Sequence, residues 1–215
     1  MSNETTNPVV KWILIGICVV SLCVVGALFL LGTYPVGEYR AAKELEKRGL
    51  GISYYRFGNN IWQYPVIVTG GGQSITEDDS QLMGQLPHLQ SLYFYSSDLS
   101  GLNLDDIKNC QYFSSFYCDG VAPFPADEIR KLAAYSIHAF GFVNSCLNDS
   151  DMEDFAKWTT VDCLYLDRNA GITDAVFEHL EKIASLRLVR LTGTSVTKEG
   201  IEEFKKKRPG VEVIF

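Results

Sequence analysis

The side chains able to do chemistry are spread along the chain rather than gathered at motif spacing. Of six cysteines, Cys18 and Cys23 fall in a long apolar run, while Cys110, Cys118, Cys146 and Cys163 contain no C-x-x-C pair. Neither a zinc site nor a redox pair has the spacing it needs. His88, His138 and His179 stand far apart, with no two at the separation of a metal-ligand pair or a catalytic dyad. The "GGG" at 70–72 lacks the lysine and helix entry of a phosphate loop and reads as a permissive turn. The most suggestive pair is Asp119 and Asp167. Both are expected on one sheet face, two strands apart, or roughly 10 Å at about 4.8 Å per strand, which is wide for the paired carboxylates of sugar hydrolysis. No metal and no cofactor is expected.

The elements that position these residues are copies of one unit. The pattern Leu186, Val189, Leu191, Thr194, Val196 recurs earlier as Val161, Leu164, Leu166, Asn169, Ile172. It recurs again as Ile137, Phe140, Phe142, Ser145, Leu147 and as Leu89, Leu92, Phe94, Ser97, Leu99, with a degenerate copy at Phe113, Phe116, Cys118. The equivalent residues Phe94, Cys118, Phe142, Leu166 and Leu191 are 24, 24, 24 and 25 apart. Apolar-x-apolar alternation predicts a half-buried strand. After the strands come the pairs Leu104 and Ile107, Met152 and Phe155, Phe177 and Leu180, Ile201 and Phe204, each one buried stripe of a short helix. Thr173-Asp174, Asn148-Asp149 and Thr197 sit where free N–H groups of a first turn need acceptors, so these helices are expected to carry their own caps. Phe124, Ile129 and Leu132 fit the middle copy. Residues 73–87 form a looser first copy, with Ser80 where an apolar residue is expected.

The unit "LYLDRNAGITDAVFEHLEKIASL" resembles the leucine-rich repeat, and the resemblance extends over about 66–215. With the upstream "AAKELEKRGLGISYY", the chain further resembles bacterial membrane-anchored leucine-rich repeat proteins of the planctomycete type. That resemblance implies an α/β fold, a right-handed β-α superhelix of about six repeats of 23–26 residues, and a binding role rather than an activity. Such repeats cannot bury their apolar faces singly and need caps at both ends. Cys118 and Gly120 depart from the pattern, which leaves the register of the 112–134 copy open.

The anchor is read from residues 12–31, 20 in succession without a charge, which as a helix span about 30 Å, the thickness of a bilayer's hydrocarbon. A cleaved signal peptide is the competing reading, but the run is longer than an ordinary apolar signal core and lacks a clear cleavage site. The domains expected are a tail at 1–11, a transmembrane helix at 12–34 and a juxtamembrane helix at 35–49 with Tyr39, Ala42 and Leu45 on one stripe. A hairpin cap at 50–65 turning at Gly58-Asn59-Asn60 follows, then the repeats at 66–215. Arg40, Lys43, Lys47 and Arg48 follow the span and place the repeat domain in the cytoplasm by the positive-inside rule, unless they simply decorate the helix. A net charge of −7 argues against nucleic acid as a partner. The basic run Lys205 to Arg208, stopped by Pro209-Gly210, reads as the favourable C-terminal charge of a helix.

Strand alternation sends the residues between the buried ones to the concave face. Tyr93, Tyr117, Gly141, Tyr165 and Arg190 then form one row, and Tyr95, Asp119, Val143, Asp167 and Thr192 a second beside it. Tyrosine and arginine are enriched at protein-binding hot spots, although tyrosines also serve cross-strand packing. The expected function is a membrane-anchored, single-pass scaffold that binds an unidentified protein through Tyr93, Tyr95, Tyr117, Asp119, Tyr165, Asp167 and Arg190. A purely structural protein that self-associates, through its exposed last strand at 211–215, is the alternative; a hydrolase using the concave carboxylates is the third reading.

Overall fold

Apolar-x-apolar runs recurring every 24 residues can share one core only if they lie side by side, and the chain folds that way. The computed structural model describes residues 36–56, 63–121, 126–155 and 157–215. The expected span at 12–34, the turn at 58–60 and Phe124 lie outside the described residues. No helix among the described residues is long and apolar enough to cross a membrane.

The chain opens with α1 (Val36–Lys47), then β1 (Gly51–Tyr55), β2 (Tyr64–Gly71), α2 (Glu77–Met83) and β3 (Ser91–Tyr95). After a 3-10 turn at Leu104–Asn109 come β4 (Ser115–Asp119), α3 (Ala126–Lys131), β5 (Ala139–Val143), α4 (Met152–Phe155) and β6 (Cys163–Tyr165). The chain ends with α5 (Val176–Leu180), β7 (Leu188–Arg190), α6 (Lys198–Lys207) and β8 (Glu212–Ile214). Among the described residues the strands form one sheet in chain order, with β1 antiparallel to β2 and every later neighbour parallel. This is an α/β solenoid, a parallel sheet with short helices as its crossovers, the architecture that the resemblance to the leucine-rich repeat implies. The hairpin partner β1 pairs the edge that β2 would otherwise leave open.

The register answers the question posed by Cys118 and Gly120. Phe94 pairs with Cys118 and Cys118 with Phe142, all three fully buried. A parallel row runs from Val68 through Leu92, Phe116, Phe140, Leu164 and Val189 to Val213. The small thiol fits because its neighbours are large: Phe116 stacks on Phe140 with centroids 6.2 Å apart, and close packing needs small residues opposite large ones. Gly70 does the same two strands earlier, since a Cβ there would lie 2.8 Å from the Phe94 ring. The expectation that 70–72 is a turn therefore changes: Gly70 and Gly71 belong to β2, and only Gly72, at φ +73, turns the chain.

Two further expectations change. Asn148 and Thr197 cap their own elements, but the carboxylates beside the caps reach across repeats. Asp149 accepts from Thr173 N–H and Oγ1–H, and Asp174 accepts from Thr197 N–H and Oγ1–H. Each aspartate thus orders the start of the next helix rather than its own. Ser80, the polar residue in an apolar position, is fully buried and exchanges hydrogen bonds with the Asn103 backbone of the next repeat. At the far end the Arg208 guanidinium donates to the carbonyls of Leu180, Glu181, Ile183, Ala184 and Leu186. The last basic residue of that run thus closes the preceding helix, where bare carbonyls await donors.

Helix α1 docks on the first repeat through Glu38, Ala41, Ala42 and Leu45, all buried. Tyr39, expected on that stripe, is 52% exposed, because the i, i+3/i+4, i+7 face runs through position 38 instead. Glu38 is tolerated there because His88 Nδ1 lies 3.1 Å from both carboxylate oxygens. Arg48 pairs with Asp79, itself part of the Thr76 capping box, and Lys43 and Lys47 pair with Glu46 and Glu44. Burial raises the Glu38 pKa, opposed by the hydrogen bond and charge of His88. The folded state then binds this proton more tightly than the unfolded chain, so its contribution is full below the ordinary glutamate range and is lost as pH rises through the raised value. Urea denaturation of the wild type and of Glu38→Gln is expected to show the wild type losing ground to the variant as pH rises from about 4 through that range. A pH-independent difference would contradict it.

Candidate functional site

The sheet face turned away from the core, the concave face of the expected fold, is built by the residues between the buried ones. Tyr93 pairs with Tyr117, Tyr117 with Gly141, Gly141 with Tyr165 and Tyr165 with Arg190, so the first expected row is one line across five strands. Gly141 decides its shape. A Cβ there would stand 2.1 Å from the Tyr117 ring, so that ring leans across β5 and meets Tyr165, two strands away, with centroids 6.1 Å apart. Tyr93 and Tyr95 meet Tyr117 from the other side at 6.1 and 6.0 Å. The Arg190 guanidinium extends the line, 5.8 Å from the Tyr165 ring centroid, within the range of cation–π attraction. Five of the expected residues, Tyr93, Tyr95, Tyr117, Tyr165 and Arg190, thus form a contiguous surface. Burial is the main cause that holds the Tyr117 and Tyr165 phenols above their ordinary pKa, so both remain O–H donors at neutral pH.

The second row is less open than alternation implies. Asp119 and Val143 do pair in register, but Val143 is only 2% exposed and Asp167 only 6%. One neighbour of this row is Arg168. It occupies the left-handed turn after β6 at φ +59 and its Nη2 lies 2.8 Å from Asp119 Oδ2, beyond β5. To reach there it must pass over the end of β5, where Val143 lies. Asp167 accepts from Thr192 N–H and pairs with Arg190 Nε at 3.2 Å. Each carboxylate expected on the face therefore lies against its own guanidinium, and the two are not brought together.

Arg168 is the functional-site residue that alternation does not find. Its position carries a signal of its own: Gly72, Ser96, Gly120, Asn144, Arg168 and Gly193 all have positive φ, one after each strand from β2 to β7. Glycine adopts that conformation without cost, whereas an arginine there is strained by about 1–2 kcal/mol. The turns still extend the sheet, because Ser96, Gly120, Asn144 and Arg168 N–H groups donate to Asp119, Val143, Asp167 and Thr192 carbonyls.

Burial pushes Cys110 up to about 12, drives Cys118 well above the usual thiol range, and raises Cys163, which also lies beside Asp162. Reactivity requires the thiolate, which all three environments disfavour. His138 Nδ1 faces Asp162 at 3.4 Å. Among the described residues no group of three or more His, Cys, Asp or Glu side chains could hold a metal ion.

No protein-family model matches the chain, and no curated protein matches it. Solved structures do. A leucine-rich repeat protein of Leptospira interrogans is 19% identical at a TM-score of 0.43, covering 63% of this chain and 33% of that one. An internalin of Listeria monocytogenes is 12% identical at 0.42, covering 68% and 39%. A Bacteroides fragilis protein is 16% identical at 0.44, covering 67% and 42%. The chain thus matches between a third and about two fifths of the length of each. The fold assignment rests on the repeat and on the register of the sheet.

Proposed function

We propose that the protein is a membrane-anchored leucine-rich repeat scaffold, of the kind found in planctomycete-type bacterial proteins, whose concave sheet holds a protein partner. The observation that carries this reading is the continuous line from Tyr93 and Tyr95 through Tyr117 and Tyr165 to Arg190. Large aromatic area ending in a guanidinium is the composition of a binding hot spot. Asp119 and Asp167 belong to the docking surface by fixing Arg168 and Arg190 at its border. The uncharged run at 12–31 is the anchor, which makes the protein single-pass and brings its partner to the membrane. The basic residues after the run favour the cytoplasmic side, although Lys43, Lys47 and Arg48 also serve the fold through their ion pairs.

A hydrolytic reading has less support, because both carboxylates it needs are paired with arginines. Self-association has one observation in its favour: Ile214, the last residue of β8, and Phe215 after it are exposed, and β8 pairs with β7. The test is proximity labelling in the native host with the full chain and with Tyr93, Tyr117 and Tyr165 all changed to serine. Loss of specific neighbours by about 30-fold or more is expected, as removal of a hot spot worth 2 kcal/mol or more would give, with the circular dichroism of the folded state retained. Unchanged neighbours would move the site to residues 211–215.

A further inference from the structure

The concave face holds a slot of about 230 Å³, walled by Tyr93, Tyr117 and Tyr165 and floored by Ser115, Ala139 and Gly141. It exists because the floor residues are small and because Tyr117 leans over Gly141. The volume is smaller than the roughly 300–1,000 Å³ of pockets that take whole small ligands. It suits one ring or one side chain. No formal charge lines it.

The border is charged, and unevenly. The Arg190 side chain is 44% exposed while its partner Asp167 is 8% exposed; Arg168 is 58% exposed over Asp119 at 26%. Each arginine is thus more exposed than the carboxylate it pairs with, although Arg190 Nε itself is buried. The complementary ligand is apolar where it enters the slot and anionic beside it.

The sheet also limits the ligand's backbone. The interior strands are paired on both sides, so an added strand could not join them from the face, and its own N–H and C=O groups would lie unpaired against the tyrosines. A helix about 10 Å across would bridge the slot rather than enter it. A polyproline II segment has no internal hydrogen bonds, keeps its backbone solvated and is ordered before it binds. Its carbonyls can accept from tyrosine hydroxyls, and proline-rich segments dock in aromatic-lined grooves.

Resting on the concave-face reading above, we infer that the slot binds a proline-rich, extended segment of the partner, one proline ring in the slot bordered by Tyr93, Tyr117 and Tyr165 and an aspartate or glutamate against Arg190. The test uses the full chain in detergent and fluorescein-labelled peptides read by anisotropy: a nine-residue proline peptide with a central aspartate, the same peptide with lysine for aspartate, and the same with alanine for proline. Saturable binding of the first with Kd below about 1 mM is expected, with at least about tenfold weaker binding of each control. In Arg190→Gln the aspartate peptide should fall to the level of the lysine peptide while the preference for proline over alanine persists. In Gly141→Ala the added methyl would drive the Tyr117 ring from its seat, and all three peptides should lose binding. Equal binding of the proline and alanine peptides would overturn the inference, as would no binding by any. If in that case the triple tyrosine variant still loses its neighbours in the cell, the scaffold reading stands and only the ligand class falls. If both fail, the concave face is not the docking surface.

Discussion

Changing Asn169 to alanine is expected to cost about 4 kcal/mol, among the largest effects of any single substitution in this protein. Asn169 is fully buried in the turn after β6. Its Oδ1 accepts from the N–H groups of Ser145 and Leu147, in the previous repeat. Its Nδ2 donates to the carbonyls of Phe142 and Leu166 and more distantly to that of Asp167. One side chain therefore satisfies backbone groups in two adjacent repeats, out of reach of water. Alanine would strand at least the two N–H groups, and each unsatisfied buried group costs about 1–3 kcal/mol, to which the lost carbonyl contacts add. Aspartate should be no better, since its carboxylate would face the carbonyls that now accept from Nδ2. Urea denaturation followed by circular dichroism measures the loss; a value under about 1 kcal/mol would mean that the turn re-forms its bonds without the amide.

The polar position of the repeat was legible because its spacing matches that of the apolar residues, although serine and asparagine there act differently. Ser97 and Ser145 donate to the carbonyls two residues before them, a local bond that any hydroxyl can make. Only Asn169 has the two-sided amide needed to join neighbouring repeats. The buried rows at Phe94, Cys118, Phe142, Leu166 and Leu191 were readable for a stronger reason: a period of 24 must place equivalent side chains in equivalent environments, whatever their size.

What the sequence hid depends on contacts between distant residues. Glu38 occupies a helical face that hydrophobicity alone would give to a neighbour, and its partner His88 lies 50 positions away. Alternation correctly puts Val143 and Asp167 on the concave side, but it carries no information on what covers them. Arg168 reaches Asp119 on the far side of β5 from a left-handed turn that pattern reading would assign to glycine or asparagine. The small floor of the slot is similar. Ser115 pairs with Ala139 and Ala139 with Cys163, a row of small residues that has meaning only once the register shows three tyrosines standing over it.

Leu166→Ala is expected to lose about 2–5 kcal/mol, from the methyl groups removed and the cavity they leave. Leu166 has no exposed surface and its N–H donates to the Arg190 carbonyl, carrying the sheet pairing one residue past β6. Its place inside the stack, with a repeat on either side, matters as much as its size. In a solenoid each repeat contacts only its neighbours, so stability is close to a sum of repeat terms and interface terms. A cavity at Leu166 weakens the interfaces toward both Phe142 and Leu191 at once. The loss should therefore exceed that of Cys118→Ala, in which only a sulfur leaves the same row, by at least about 1 kcal/mol. The transition itself should change as well: with its central coupling weakened, the array can lose all-or-none behaviour. Hydrogen exchange would then show amides of β7 and α6 opening before those of β3 and β4. Comparable losses for Leu166→Ala and Cys118→Ala, with exchange still uniform, would mean that the Leu166 side chain does not set the coupling between repeats.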